Sequence, residues 1–241
     1  MSFQKYVYYI DKELLPPLPS DKQLIIDLET TGLDPEIDII ICGGFFDCKK
    51  RKIIIYFLPD PDDSEKFRRF LRNTILWYRL KKYTIWSYNS EFEEKFLGIR
   101  NTIQDLMVYR ITFKTHRESD DDYYEIPSLV RTKMISASNY IIQNILKDNE
   151  LKKQIDELDT SYISSSLIPN LYLKRWLLRK DKEAIEYIIK HNYADLIREY
   201  CILWYYYYTL EKLRNHILKE YLIFPKIIIK NLKLQVHYYL L

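Results

Sequence analysis

Two carboxylates stand two residues apart in the run Leu24-Ile25-Ile26-Asp27-Leu28-Glu29-Thr30-Thr31-Gly32-Leu33. Residues i and i+2 of a β-strand project from one face, so a strand ending here aims Asp27 and Glu29 at the same place. Two acids held side by side at the end of a buried strand repel each other unless a positive charge lies between them. A hard divalent cation with oxygen ligands suits that position. The plainer reading of an Asp-x-Glu pair is a strand that ends in two solvated acids. Residues further along the chain decide between the two.

Downstream, His191-Asn192-Tyr193-Ala194-Asp195 puts His191 and Asp195 at i and i+4, on one face of a helix. An imidazole accepts a proton near neutral pH, so His191 can orient or deprotonate a water while Asp195 binds a cation. The quieter alternatives are Asp195 paired with Lys190 or Arg198, and His191 as an exposed helix residue. A fourth acid, Glu93, follows an apolar run in Ile85-Trp86-Ser87-Tyr88-Asn89-Ser90-Glu91-Phe92-Glu93. There Asn89 can hold a phosphate or a water, and Phe92 can stack on a terminal base, although Phe92 also fits a core position. Ser90-x-x-Glu93 is equally a capping-box spacing, in which the glutamate folds back to the start of its own helix. Thr30, at the exit of the acidic strand, joins Asn89 and Phe92 as a candidate substrate contact.

The elements that must position these residues are legible in outline. Residues 24–28, 37–46 and 53–58 are apolar or β-branched runs separated by polar turns, and they read as three consecutive antiparallel strands. Pro59 and Pro61 stop the third, and Asp62-Asp63-Ser64-Glu65 opens a helix whose Phe67, Phe70, Leu71 and Ile75 share one face. Residues 83–88 form a fourth strand, parallel after a helical crossover. A short helix follows over 89–97 with Gly98 as its C-cap, and 102–107 is a weaker strand containing Asp105. Tyr6 to Ile10 reads as a short first strand, then Pro16-Pro17-Leu18-Pro19 breaks regular structure. Beyond Leu129 the chain is helical with an interruption at 161–169, and a long helix runs from Lys182 to about Tyr221 with Asp181 as N-cap. The loop 115–126, with its Asp120-Asp121-Asp122 run, is a solvated acidic segment, and the tail 224–241 is an edge strand or a helix-covering segment.

A chain of 241 residues with 47% hydrophobic and 29% charged side chains builds one sizeable core, which excludes disordered and membrane-spanning classes. The most apolar stretch, 201–210, is short, rich in tyrosine and flanked by charges. A net charge of +3 is too small to attract nucleic acid globally, so phosphate contacts must come from local groups such as Lys49 to Lys52, Arg68 with Arg69, and Lys174 with Arg175. Three cysteines without metal-ligand spacing and a start that lacks a secretory layout point to a reduced, cytoplasmic setting.

Taken together, the segments resemble the DEDD superfamily of ribonuclease-H-like 3′-5′ exonucleases. Asp27 and Glu29 match its first motif in full. The stretch ending at Glu93 is similar to the second, a strand followed by Asn-x-x-Phe-Asp, with Glu93 where the family carries Asp. His191 to Asp195 is similar to the third, in which an aromatic residue or a histidine precedes the last aspartate; four residues is the spacing of the tyrosine type. The segment from Tyr162 to Tyr172 leading to Asp195 resembles the branch containing YprB-like proteins and the proofreading domain of family B polymerases. The resemblance covers roughly residues 22–205. It implies an α/β fold with a mixed sheet, three antiparallel strands and then parallel ones, flanked by helices. The implied organisation is an N-terminal extension over 1–21, the nuclease domain over 22–210 and a C-terminal extension over 211–241 packed on the same domain.

The implied chemistry is hydrolysis of single-stranded DNA from a 3′ end, with RNA open as a substrate. Two Mg²⁺ or Mn²⁺ ions about 4 Å apart activate water and stabilise the leaving oxygen in such sites. Asp27, Glu29, Asp195 and Glu93 are the expected ligands and His191 the expected general base. Two alternatives use the same residues: a structure-selective endonuclease, and a degenerate nuclease domain that binds nucleic acid or protein without cutting. The partner expected is nucleic acid, with no membrane, and protein partners are left open.

Overall fold

The computed structural model of the chain describes residues 3–20, 22–107, 134–158 and 165–221. The acidic loop 115–126 and the tail 224–241 lie outside the described residues. The chain divides into two compact units, Met1–Trp204 and Tyr205–Leu241.

The first unit is built on a six-stranded sheet of order β1-β4-β3-β2-β5-β6. Its strands are β1 (Gln4–Tyr9), β2 (Gln23–Thr30), β3 (Ile40–Asp47), β4 (Lys52–Phe57), β5 (Thr84–Ser87) and β6 (Gln104–Asp105). β2, β3 and β4 are successive antiparallel partners, and β5 joins β2 in parallel, as the chain order predicts. β6 continues the parallel half beside β5. This mixed sheet flanked by helices is a ribonuclease-H-like α/β fold.

Two boundaries differ from the sequence reading for local reasons. β3 begins at Ile40 rather than at Ile37, because Asp34 turns the chain: its carbonyl accepts the amides of Ile37 at 3.2 Å and Asp38 at 2.7 Å. Ile37 is left 80% exposed outside the sheet. At the other edge, β1 lies within residues read as an extension, yet it pairs antiparallel with β4 along its whole length. One guanidinium nitrogen of Arg51 then donates to the carbonyls of Asp11, Lys12 and Leu15, which ties the following segment down.

The two faces of the sheet are filled differently. On one side helix α1 (Ser64–Leu80) buries Phe67, Leu71, Ile75 and Tyr78 against Leu24, Ile26, Leu28 and Phe45. Gly43 makes this approach feasible, since a Cβ there would lie 2.8 Å from Leu71 Cδ2. Helix α2 (Ser90–Leu97) ends at Gly98, whose φ of +65° is the left-handed C-cap expected of glycine. The segment before the last helix holds α3 (Met134–Tyr140), α4 (Asn149–Leu158) and the single turn α5 (Ile168–Asn170), with π-helical turns following α3 and α5.

The opposite face receives residues 182–204 of α6 (Lys182–Tyr221), whose first turn is capped by Asp181 through the Glu183 amide at 3.0 Å. Phe46 stacks on Tyr200 at 5.0 Å, and Tyr8 meets Tyr193 edge-on at 4.9 Å. Of the tyrosine run in the second unit, Tyr205 and Tyr206 are buried and Tyr207 and Tyr208 half-buried. Among the described residues no helix is long and apolar enough to cross a membrane.

Candidate metal centre

β2 lies inside the sheet between β3 and β5, and alternation divides its side chains cleanly. Leu24, Ile26 and Leu28 enter the apolar core, so Ile25, Asp27 and Glu29 face α6. The ladder shifts register between Glu29 and Thr30, which ends regular pairing directly after the second acid. Thr30 then closes the exit by donating its hydroxyl to the carbonyl of Gly32 at 2.5 Å. That hydroxyl serves the turn.

A helix carrying polar side chains reaches a buried strand only if the sheet leaves room. Gly44, the cross-strand partner of Asp27, leaves it: a Cβ there would collide with Asn192 Oδ1 and stand 2.7 Å from Leu196 Cδ1. Through this gap Asn192 Nδ2 donates to the Asp27 carbonyl at 3.1 Å and to Asp27 Oδ2 at 2.6 Å. On the same face His191 Nε2 lies 3.4 Å from Asp195 Oδ2 and 3.9 Å from Glu29 Oε1. Ligand atoms of Glu29, His191 and Asp195 all fall within 4.8 Å of one another, and all three residues are buried. Glu29 Oε1 has no hydrogen-bond partner.

Both quiet alternatives for α6 find a partial answer. His191 is buried, not exposed. Asp195 does pair with Arg198, whose guanidinium donates to Oδ1 at 2.7 Å, while Oδ2 turns toward His191. Lys190 pairs with Glu186 instead.

Burial and mutual repulsion raise the proton affinity of these acids. Asp27 is pushed up to about 7, first by desolvation and then by Asp195, with His191 and the Asn192 hydrogen bond pulling the other way. Glu29 is raised well above the usual carboxylate range by burial, against an opposing pull from His191. A pocket that resists ionising its own carboxylates accommodates a cation in place of the protons. Oxygen donors with one imidazole, and an orphaned buried carboxylate oxygen among them, fit a hard divalent ion such as Mg²⁺ or Mn²⁺.

Glu93 stands outside the compact group but near it. It is buried, accepts the Ser87 hydroxyl at 3.1 Å, and is raised by desolvation and then by Asp27. The capping box does not form. Asn89 occupies the N-cap without a side-chain cap bond, and the amide and hydroxyl of Ser90 go to Asp105. Asp105 also accepts the Met107 amide at 2.7 Å, so this acid organises the start of α2. Asn89 is exposed, and Phe92 is half-buried against Phe96 at 4.7 Å. Several expected phosphate contacts are engaged elsewhere: Arg175 with Asp181 and Glu183, Arg68 with Glu65, and Arg51 with the N-terminal carbonyls.

Two participants escaped the sequence reading. Asn192 sits inside the quoted motif, but only the Gly44 gap shows that it grips Asp27. Glu199, four residues beyond Asp195, is a fifth buried acid; its spacing from Asp195 was the available signal.

Residues 24–207 match the sequence profile of the RNase_H superfamily. The chain belongs to that superfamily, which suggests a nuclease, and nucleases of this kind typically use divalent metal ions. No curated protein and no solved structure matches it.

Proposed function

We propose that this chain is a metal-dependent 3′-5′ exonuclease of the DEDD type, acting on single-stranded DNA, in the branch that includes YprB-like proteins and family B proofreading domains. The observation that carries the proposal is the convergence of Glu29, His191 and Asp195 within 4.8 Å, beside Asp27 on the same strand. Asp-x-Glu on a central strand facing His-x₃-Asp on the last helix is the arrangement that the DEDD resemblance calls for.

Asp27, Glu29, Asp195 and Glu93 hold two divalent cations in this reading. Bound there, such ions activate a water and stabilise the leaving oxygen in an in-line displacement. The protein's own contributions are concrete. Asn192 fixes the Asp27 carboxylate through Oδ2. His191, whose ring is held beside Asp195 with Nε2 3.4 Å from Oδ2, is the general base for the attacking water in this reading. Asn89 contacts a phosphate and the exposed edge of Phe92 stacks on the terminal base. Thr30 contributes its backbone surroundings, since its hydroxyl closes the turn.

Digestion of 5′-labelled and 3′-labelled single strands, DNA and RNA in parallel, with Mg²⁺ or Mn²⁺ tests this. Stepwise shortening from the 3′ end is the expected result. Internal cuts indicate the endonuclease, and binding without cleavage indicates a degenerate module. Asp27→Ala is the control: activity that survives it arises elsewhere.

A further inference from the structure

We infer that Glu199 is a cation ligand, and that it holds the second of the two ions jointly with Glu93. The inference rests on the metal-dependent reading above and extends it to a residue outside the three motifs.

Glu199 is 1% exposed, on the stripe of α6 that carries His191 and Asp195. One of its carboxylate oxygens, Oε1, accepts the Tyr88 amide at 3.2 Å, just past the end of β5. The other, Oε2, is buried without any hydrogen-bond partner. A buried carboxylate oxygen left without a partner is expensive, and in native proteins it marks an absent ion or water. The acids Asp27, Glu93 and Asp195 act on it and raise its proton affinity, which favours a cation beside it.

Glu29, His191 and Asp195 form one compact set, while Glu93 and Glu199 are held at the end of β5, by the Ser87 hydroxyl and by the Tyr88 amide of the next residue. Asp27 raises the proton affinity of both glutamates and is itself raised by Asp195. Two glutamates from two helices thus stand where the motif supplies one aspartate, and the longer Glu93 side chain is matched by a second acid.

The competing role for Glu199 is purely positional, since its bond to the Tyr88 amide clamps β5 to α6. Glu199→Gln separates the two, because a glutamine carbonyl keeps that bond and removes the charge. Mn²⁺ binding is read by calorimetry and by electron paramagnetic resonance on the intact chain, with no substrate present. The wild type takes two Mn²⁺; Glu199→Gln retains the tighter one and loses the second or binds it at least tenfold more weakly. Glu93→Gln shows the same loss, and the double variant loses nothing further, as expected for two ligands of one ion. Full two-ion binding in Glu199→Gln overturns the inference and leaves the proposed function standing. A wild type that takes no Mn²⁺ overturns both. The metal-free melting temperature of Glu199→Gln, expected at or above that of wild type, shows that the lost ion does not reflect a lost fold.

Discussion

The two faces of β2 are made by alternate residues of one strand, and they are stabilised in opposite ways. Leu24, Ile26 and Leu28 meet α1 in a closed apolar layer to which every side chain contributes by leaving water. Ile25, Asp27 and Glu29 meet α6, where the carboxylates are also withdrawn from water but repel one another. The glycines mark the contrast. Gly43 admits Leu71 to one face, and Gly44, its neighbour, admits Asn192 to the other. The α6 side also buries apolar side chains such as Ile25, Leu196 and Tyr200, but sets mutually repelling carboxylates among them, a repulsion that a cation would relieve in the proposed function.

The largest expected effect falls on the polar face and has two opposite readouts. Asp27→Asn removes a cation ligand and should lower nuclease activity by about a thousandfold, roughly 4 kcal/mol of transition-state stabilisation. The same change relieves repulsion with Asp195, so the metal-free chain should melt no lower than wild type. Activity assays and melting in chelator check the pair. A large drop in melting temperature would mean that Asp27 supports the fold rather than the chemistry.

Leu71→Ala probes the apolar face at the mirror position. Truncating a fully buried leucine costs about 3 kcal/mol, and the melting temperature should fall by roughly 10 °C. Mn²⁺ affinity and turnover per folded molecule should stay unchanged. A loss of Mn²⁺ affinity comparable to that of an acid variant would show that the two faces are not independent.

The division between faces also explains what the sequence disclosed. Periodicity reports burial, so the three strands read at 24–28, 37–46 and 53–58 and the α1 stripe were legible to within a few residues at their ends, and spacing reported that His191 and Asp195 share a face. β1 was visible as a strand, but its partner was not, because pairing with β4 depends on a return of the chain that no local pattern encodes. Glu199 was hidden for a related reason. A glutamate on a long helix is ordinarily solvated, and only the approach of α6 to the end of β5 turns it inward. Asp105 and Glu93 illustrate the converse: Ser90 had two acids in reach, and the tertiary contact with Asp105 prevailed over the local capping box.

A smaller effect follows from the raised carboxylates. Asp27 titrates near 7 in the folded chain against 3.8 for an unperturbed aspartate, and Glu29, Glu93 and Glu199 are raised in the same direction. Between those values the folded chain retains protons that the unfolded chain has released, so stability falls as pH rises toward and through 7. In chelator the melting temperature should therefore drop by several degrees between pH 5 and pH 8. Mn²⁺ binds the ionised acids, so its stabilising shift should be larger at pH 8 than at pH 5. A metal-free melting temperature that climbs over this range would contradict the assignment of the α6 face as the strained one.

The smallest effect tests where the polar face ends and the substrate begins. Asn89 is exposed at the N-cap of α2 and uses no side-chain bond there, so Asn89→Ala leaves the helix start essentially as it is. If Asn89 touches a phosphate, the variant should raise KM by three- to tenfold, about 1 kcal/mol, with kcat little changed, because such a contact is made equally before and during the reaction. Its Mn²⁺ affinity should match wild type, which distinguishes it from every acid on β2 and α6. A fall in kcat at constant KM would move Asn89 from the substrate to the attacking water, and the boundary of the polar face would then extend from the two carboxylates of β2 across the turn into α2.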